Sequence, residues 1–121
     1  MQKKRVLIVE DEPDLSAVLA NLLAVFGVDS ETAENANIAK SKLQLEKYDF
    51  FIIDITLPDI SGVELYKDMI VHHPEYKGNV IFTSGLNESD ELINIGKTDG
   101  TTFLPKPFSI DRLKEALNKW L

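Results

Sequence analysis

The chain has no cysteine among its 121 residues, which excludes disulfides, thiolate metal sites and a catalytic thiol. Long apolar runs are missing too. Behind the basic start Met1-Gln2-Lys3-Lys4-Arg5, the apolar stretch Val6–Val9 stops at Glu10-Asp11-Glu12. That is too short for a secretory signal, and no other stretch approaches membrane-spanning length. Positive charge is scarce: 13 Lys and Arg stand against 20 Asp and Glu, a formal net charge of −7. This disfavours direct contact with nucleic acid or an anionic membrane, both of which need a basic surface. It suits a cytoplasmic domain that holds a cation and docks other proteins. The two histidines, His72 and His73, sit together before Pro74, where capping a helix end is the expected role. The 44% of hydrophobic residues supply an ordinary core, and the length fits one domain over residues 1–121.

Two kinds of segment alternate along the chain. Apolar runs rich in branched residues lie at Arg5–Val9, Phe50–Ile53, Val80–Thr83 and Phe103–Leu104, with a weaker one near Val28–Ala33. Runs without polar alternation predict strands covered on both faces, as in a parallel sheet. Helical patterns fall between them. The first places Leu15, Val18, Leu19, Leu22, Leu23 and Phe26 on one stripe, with Pro13 near its start and Gly27 beyond its end. A second runs from about Asn35, a good cap, to Leu45, and a third from about Gly62 to His72. A weak fourth falls within Glu88–Ile95, followed closely by Gly96 and Gly100. The last begins at Ser109 and sets Ile110, Leu113, Ala116, Leu117 and Trp120 on one face, which makes Trp120 a core residue. Five strands alternating with five helices predict a doubly wound five-stranded parallel sheet of (βα)5, flavodoxin-like form, with strand order 2-1-3-4-5.

In such a sheet, functional groups gather outside the carboxyl ends of the strands, where the strand order reverses. Strand 1 ends in Glu10-Asp11, strand 3 in Asp54, strand 4 in Thr83-Ser84, and strand 5 runs into Lys106. Neighbouring strands lie about 4.8 Å apart, so Asp11 and Asp54 are close enough to share one cation, with the Ser84 hydroxyl nearby. Strand 5 is roughly 10 Å away, a gap that the Lys106 side chain largely bridges. Crowded carboxylates repel one another unless a positive charge compensates them. With oxygen donors only and no nearby His or Cys, Mg²⁺ is the expected ion. A solvated acidic loop favouring a helix dipole would explain Glu10-Asp11-Glu12 alone. It does not explain Asp54, Ser84 and Lys106 at compatible strand ends.

Taken in order, four segments carry a resemblance. They are Val6-Leu7-Ile8-Val9-Glu10-Asp11-Glu12, Asp54-Ile55-Thr56-Leu57-Pro58-Asp59-Ile60-Ser61-Gly62, Val80-Ile81-Phe82-Thr83-Ser84-Gly85 and Phe103-Leu104-Pro105-Lys106-Pro107-Phe108. Over essentially its whole length the chain resembles the receiver domain of two-component response regulators, chemotaxis regulators included. The resemblance implies that Asp54 accepts a phosphoryl group from a phosphohistidine on a sensor histidine kinase or a histidine phosphotransfer protein. It implies Mg²⁺ held by Asp11, Asp54 and the Thr56 main-chain carbonyl, with Glu10 acting mainly through a metal-bound water. Lys106 and Ser84 would contact the phosphate, Phe103 would be the aromatic switch, and Lys106-Pro107 would be a cis peptide. The implied output is a shift of the helix 4–strand 5–helix 5 face that controls an output domain or target protein. A phosphorylation-dependent homodimer is among the states it allows. Such a domain is no enzyme beyond catalysing its own phosphorylation and dephosphorylation.

The bland roles and departures belong beside this. Pro58 and Gly62 shape the backbone after Asp54, and Thr83 reads as a strand residue. The family usually has a small Gly-Ala-containing stretch before strand 5, where this chain has Gly96-Lys97-Thr98-Asp99-Gly100-Thr101-Thr102. Thr56 and Leu86, at places that tune acyl-phosphate lifetime in the family, offer no carboxylate or amide to orient water, which implies slow self-dephosphorylation. Among rivals, an FMN binder would need a phosphate cradle where Glu10-Asp11-Glu12 repels phosphate. A haloacid-dehalogenase-type phosphatase would want Asp where Thr56 stands. A degenerate receiver that only docks would lack some phosphorylation residue, and none is missing here.

Overall fold

The computed structural model describes residues 3–121. Five parallel strands form one sheet in the order β2-β1-β3-β4-β5, namely β1 (Arg5–Val9), β2 (Asp29–Ala33), β3 (Phe50–Asp54), β4 (Val80–Ser84) and β5 (Thr102–Pro105). The helices are α1 (Pro13–Val25), α2 (Ala36–Leu45), α3 (Gly62–His72), α4 (Asp90–Asp99) and α5 (Ile110–Leu117). Every residue of β3 and β4 is buried, as their unbroken apolar runs require when helices cover both faces. Alternate residues point to opposite faces, so β3 divides its apolar residues. Phe51 and Ile53 join Tyr66, Met69 and Phe82 on one side, and Phe50 and Ile52 join Leu19, Leu23, Leu113 and Leu117 on the other. Registers pair Val9 with Ile53 and Asp54 with Thr83. The polar residues that follow β1 and close β3 therefore arrive at one level.

Each helix start is set by local chemistry. The side chains of Asn35, Ser61, Ser89 and Ser109 accept hydrogen bonds from Ile38, Glu64, Leu92 and Arg112 N–H respectively, satisfying donors the helix itself cannot use. Proline opens α1, where no N–H is needed.

The structure departs from the sequence expectation in four places. Helix α4 runs to Asp99 rather than stopping near Ile95, and Gly96 lies inside it. Leu92 is its one buried residue, so it lacks the apolar stripe that would announce it. Polar contacts hold it instead: Lys67 Nζ reaches Glu91 at 2.7 Å, and the Tyr66 hydroxyl donates to Asp99 at 2.7 Å while accepting from Gly78 N–H at 3.0 Å. Val18 and Ile110, both assigned to apolar faces, are more than half exposed. They line an open apolar groove with Leu15, Leu22 and Phe108. Trp120 lies not on α5 but in a 3-10 turn, Asn118–Trp120, half-buried and stacked on Phe50 at 4.3 Å. Strand β1 stops at Val9, so Glu10 and Asp11 follow it rather than end it, whereas Asp54 and Ser84 do end β3 and β4 as expected.

Two left-handed glycines separate backbone strain from steric contact. Gly27 and Gly78 have φ of +81° and +82°; a Cβ at Gly27 meets nothing within 4 Å, whereas at Gly78 it would fall 2.3 Å from the Asp99 carbonyl oxygen. Gly27→Ala is expected to cost about 1 kcal/mol from conformation alone. Gly78→Ala, which must also push α4 away, should lose at least about 2 kcal/mol. Urea midpoints measured at unchanged slope test the ranking.

Candidate functional site

Side chains converge at the carboxyl ends of β1, β3 and β4 and in the loop after β5. Glu10 follows β1 directly, and its N–H bonds Ala33 O at 3.0 Å, which carries it one step beyond the β1–β2 pairing. Asp54 ends β3. Glu10, Asp11 and Asp54 each offer a carboxylate oxygen, and these oxygens lie within 4.8 Å of one another. Glu10 and Asp54 are buried while Asp11 faces solvent, so the cluster has one open side.

Lys106 enters from the β5–α5 loop, its N–H donating to Ser84 O at 2.8 Å and its peptide bond to Pro107 cis. Its ammonium donates to Glu10 Oε1 at 2.7 Å and to Asp54 Oδ2 at 2.9 Å. The second oxygens of those carboxylates accept main-chain donors, Glu12 N–H at 3.2 Å for Glu10 and Thr56 N–H at 3.0 Å for Asp54. Both side chains are thereby held at two points. Three carboxylates against one ammonium leave about two negative charges, which a divalent cation would balance. The donor set is all oxygen, the preference of a hard ion such as Mg²⁺.

The electrostatics are those of a crowded, half-dry site. Burial pushes the Glu10 carboxyl up to about 7; the hydrogen bond from Lys106 pulls it down, and the charge of Asp54 pushes it further up. Burial would lower the Lys106 pKa, but hydrogen bonds to Glu10 and Asp54 outweigh it and hold the ammonium above its ordinary range.

The remaining sequence candidates take differing positions around this end of the sheet. Ser84 is buried at the end of β4, and its Oγ accepts from Leu86 N–H at 3.0 Å. Thr56 is exposed in the loop after Asp54. Phe103 is half-buried on β5 opposite Phe82, beside a cavity of about 280 Å³ shared with Arg112, Glu115 and Lys119. Pro107 is exposed and lines the apolar groove beside Lys106. The backbone role of Gly62 has a direct cause: a Cβ there would lie 2.4 Å from the Asp54 carbonyl oxygen, so only glycine lets α3 start this close to β3. His72 and His73 lie at the far end of α3, away from the cluster. The sequence reading missed Asp59, whose carboxylate accepts the N–H groups of Ala36 and Asn37. Its partners lie 22 and 23 residues earlier, and no local pattern marks such a contact.

Residues 6–118 match the response regulator receiver domain family. The chain is 33% identical over 115 residues to response regulator protein PilR of Pseudomonas aeruginosa, covering 95% of this chain and 25% of that protein. It is 32% identical over 117 residues to chemotaxis protein CheY of Thermotoga maritima, covering 96% of each. The chain thus spans a quarter of one relative and nearly all of the other. Among solved structures, response regulator protein TrrA of Thermotoga maritima in complex with Mg(2+)-BeF superposes with a TM-score of 0.83 at 30% identity, covering 98% of this chain and 99% of that one.

The raised Glu10 pKa has a measurable consequence without divalent cation. Glu10 binds its proton more tightly folded, at about 7, than at the unfolded value of 4.5. The folded state thus carries no Glu10 penalty below about 4.5 and the full penalty above about 7. Native stability relative to Glu10→Gln is expected to fall by about 2–3 kcal/mol between pH 4.5 and 8. Paired urea titrations at the two pH values check this; a difference that does not change with pH would contradict it.

Proposed function

The chain belongs to the response regulator receiver domain family, the phosphoacceptor domains of two-component signalling, and from that premise we propose that Asp54 is its phosphorylated residue. The observation that carries the proposal is the Lys106 ammonium held at 2.7 Å from Glu10 and 2.9 Å from Asp54. One cation thus tethers the nucleophile and one of the acidic residues that would gather Mg²⁺ around it.

In this reading an Asp54 oxygen forms a bond to the phosphorus of a phosphohistidine. The donor's N–P bond breaks and the leaving imidazole takes up a proton. Phosphoryl transfer asks the protein mainly for alignment and charge neutralisation. Thr56 N–H and Lys106 align Asp54 through its two oxygens. After transfer, Lys106 would pair with a phosphate oxygen and the Ser84 hydroxyl would donate to another. Asp11, Asp54 and the Thr56 carbonyl would hold Mg²⁺, with Glu10 behind them. The ion supplies charge neutralisation on the transferring oxygens.

The phosphoryl group adds about −1.5 to −2 charges beside Ser84 and Lys106. The output reading follows: Ser84 moves toward the phosphate, Phe103 turns inward, and the face made by α4, β5 and α5 shifts population toward a partner-binding form. The upstream partner would be a sensor histidine kinase or a histidine phosphotransfer protein, and the downstream one an output domain or a separate target. No helix among the described residues is long and apolar enough to cross a membrane, and we place the domain in the cytoplasm, where such donors present their phosphohistidines. The domain turns over no substrate beyond its own acyl phosphate.

Labelling with acetyl phosphate and Mg²⁺ tests this. Asp54→Asn is expected to abolish the label, and full labelling of that variant would overturn the assignment. Neither Thr56 nor Leu86 orients water, so the acyl phosphate should decay over minutes or longer; a half-life of seconds would refute slow self-dephosphorylation.

A further inference from the structure

The segment 55–61 joins Asp54 to α3 and is tied to the sheet at both ends. Ile55 N–H donates to Thr83 O at 2.9 Å and Gly62 N–H to Ile55 O at 2.8 Å. Between those ties Asp59 carries the segment's polar contact with α2. Asp59 Oδ1 accepts from Ala36 N–H at 3.0 Å and Oδ2 from Asn37 N–H at 2.9 Å. Oδ1 also accepts from Ile60 N–H at 3.1 Å, which fixes the carboxylate relative to its own loop. The arrangement spans two loops: α2 has no acidic residue in its own first turn, and its cap Asn35 satisfies only Ile38 N–H. Asp59 thus supplies the acceptors and the negative charge that the start of α2 lacks. Burial would raise the Asp59 pKa, and the hydrogen bonds from Ala36, Asn37 and Ile60 outweigh it and hold the carboxyl below its usual range. The charge is therefore present at any working pH.

The geometry points to Asp59 as a positioning residue for cation binding, clamping the loop that presents the Thr56 carbonyl onto the first turn of α2. This inference rests on the reading that Thr56 O and the Asp11–Asp54 carboxylates hold Mg²⁺. Thr56 lies between a point fixed by Asp54 Oδ1, which accepts its N–H at 3.0 Å, and the Asp59 clamp three residues on. With both fixed, the peptide plane carrying the Thr56 carbonyl has little freedom to rotate. Without the clamp, Leu57 and Ile60 still pack against the same core group as Ile38 of α2. The fold should persist while the carbonyl direction loosens. Partners that orient a metal ligand commonly matter about 10- to 100-fold in affinity.

The test is calorimetric titration with Mg²⁺ alone, in high salt so that loss of one exposed charge is screened. Asp59→Ala is expected to weaken Mg²⁺ binding about tenfold, and Asp59→Asn, which retains one oxygen acceptor, should fall between it and the native chain. Asn35→Ala is the structural control: it removes a cap from the same helix end, so it should lower the melting temperature while leaving the Mg²⁺ affinity unchanged. Acetyl phosphate labelling of Asp59→Ala should need more Mg²⁺ for half-maximal rate yet reach the native rate at saturation. Equal Mg²⁺ affinity in Asp59→Ala and native chain would overturn the inference alone. So would equal weakening by Asn35→Ala, which would mark a general effect of α2 stability. A native chain that binds no Mg²⁺ would overturn the metal-site reading as well.

Discussion

The Lys106 ammonium, bonded to both Glu10 and Asp54, is the interaction on which this end of the molecule depends. Two carboxylates buried side by side would otherwise drive each other to protonate or drive the strand ends apart. One ammonium between them cancels part of the repulsion, and the exposed Asp11 leaves a surplus of negative charge facing solvent. The site is thus assembled before any ligand arrives, yet remains short of positive charge. The high Glu10 pKa comes first from burial, and the Asp54 charge, which Lys106 offsets only in part, adds to it. A preassembled, charge-deficient cluster is what phosphoryl transfer to a carboxylate needs, since little reorganisation then remains for the reaction itself.

Much of this was legible in the sequence because the fold turns strand ends into site positions. Unbroken apolar runs located β1, β3 and β4, and the residues following or ending them, Glu10, Asp54 and Ser84, inherited their neighbours from the 2-1-3-4-5 order. Lys106 was legible for the same reason, as a long side chain after the last strand. Contacts between loops distant in sequence were not legible. Asp59 reads as one more residue of a Pro-Asp turn, and its role appears only when α2 is placed beside it. The end of α4 was hidden for a different reason. A helix that buries only Leu92 carries almost no periodic apolar signal, and Gly96 argues locally against it. Val18 and Ile110 failed the other way, since periodicity marks them as inward while the groove between α1 and α5 leaves them open.

That weakness of α4 bears on signalling. Strands β3 and β4 are buried along their whole length, so displacing them would forfeit roughly 1.5–3 kcal/mol for each large apolar side chain exposed. By contrast, α4 rests on buried Leu92 near its start, half-buried Ile95 at its middle and polar links at its two ends. Lys67–Glu91 lies near its start, and Tyr66–Asp99 with the Gly78 turn lies at its finish. The first link joins exposed side chains and is worth little. The second involves a buried tyrosine whose ring packs edge-on against Phe82 at 5.5 Å, and it is much the firmer of the two.

The asymmetry sets how a change at Ser84 would travel. Ser84 ends β4, and the exposed segment 85–89 leads directly into the start of α4, whose first turn carries the buried Leu92. If the Ser84 hydroxyl were drawn toward a phosphate, the exposed segment 85–89 would yield first, while Asp99 anchors the far end of the helix to α3. Phe103 is half-buried on the adjoining strand β5, beside the cavity it shares with Arg112, Glu115 and Lys119. An exposed segment that yields, set over fully buried strands, would let a local charge change at Asp54 act on a face without loosening the sheet beneath it.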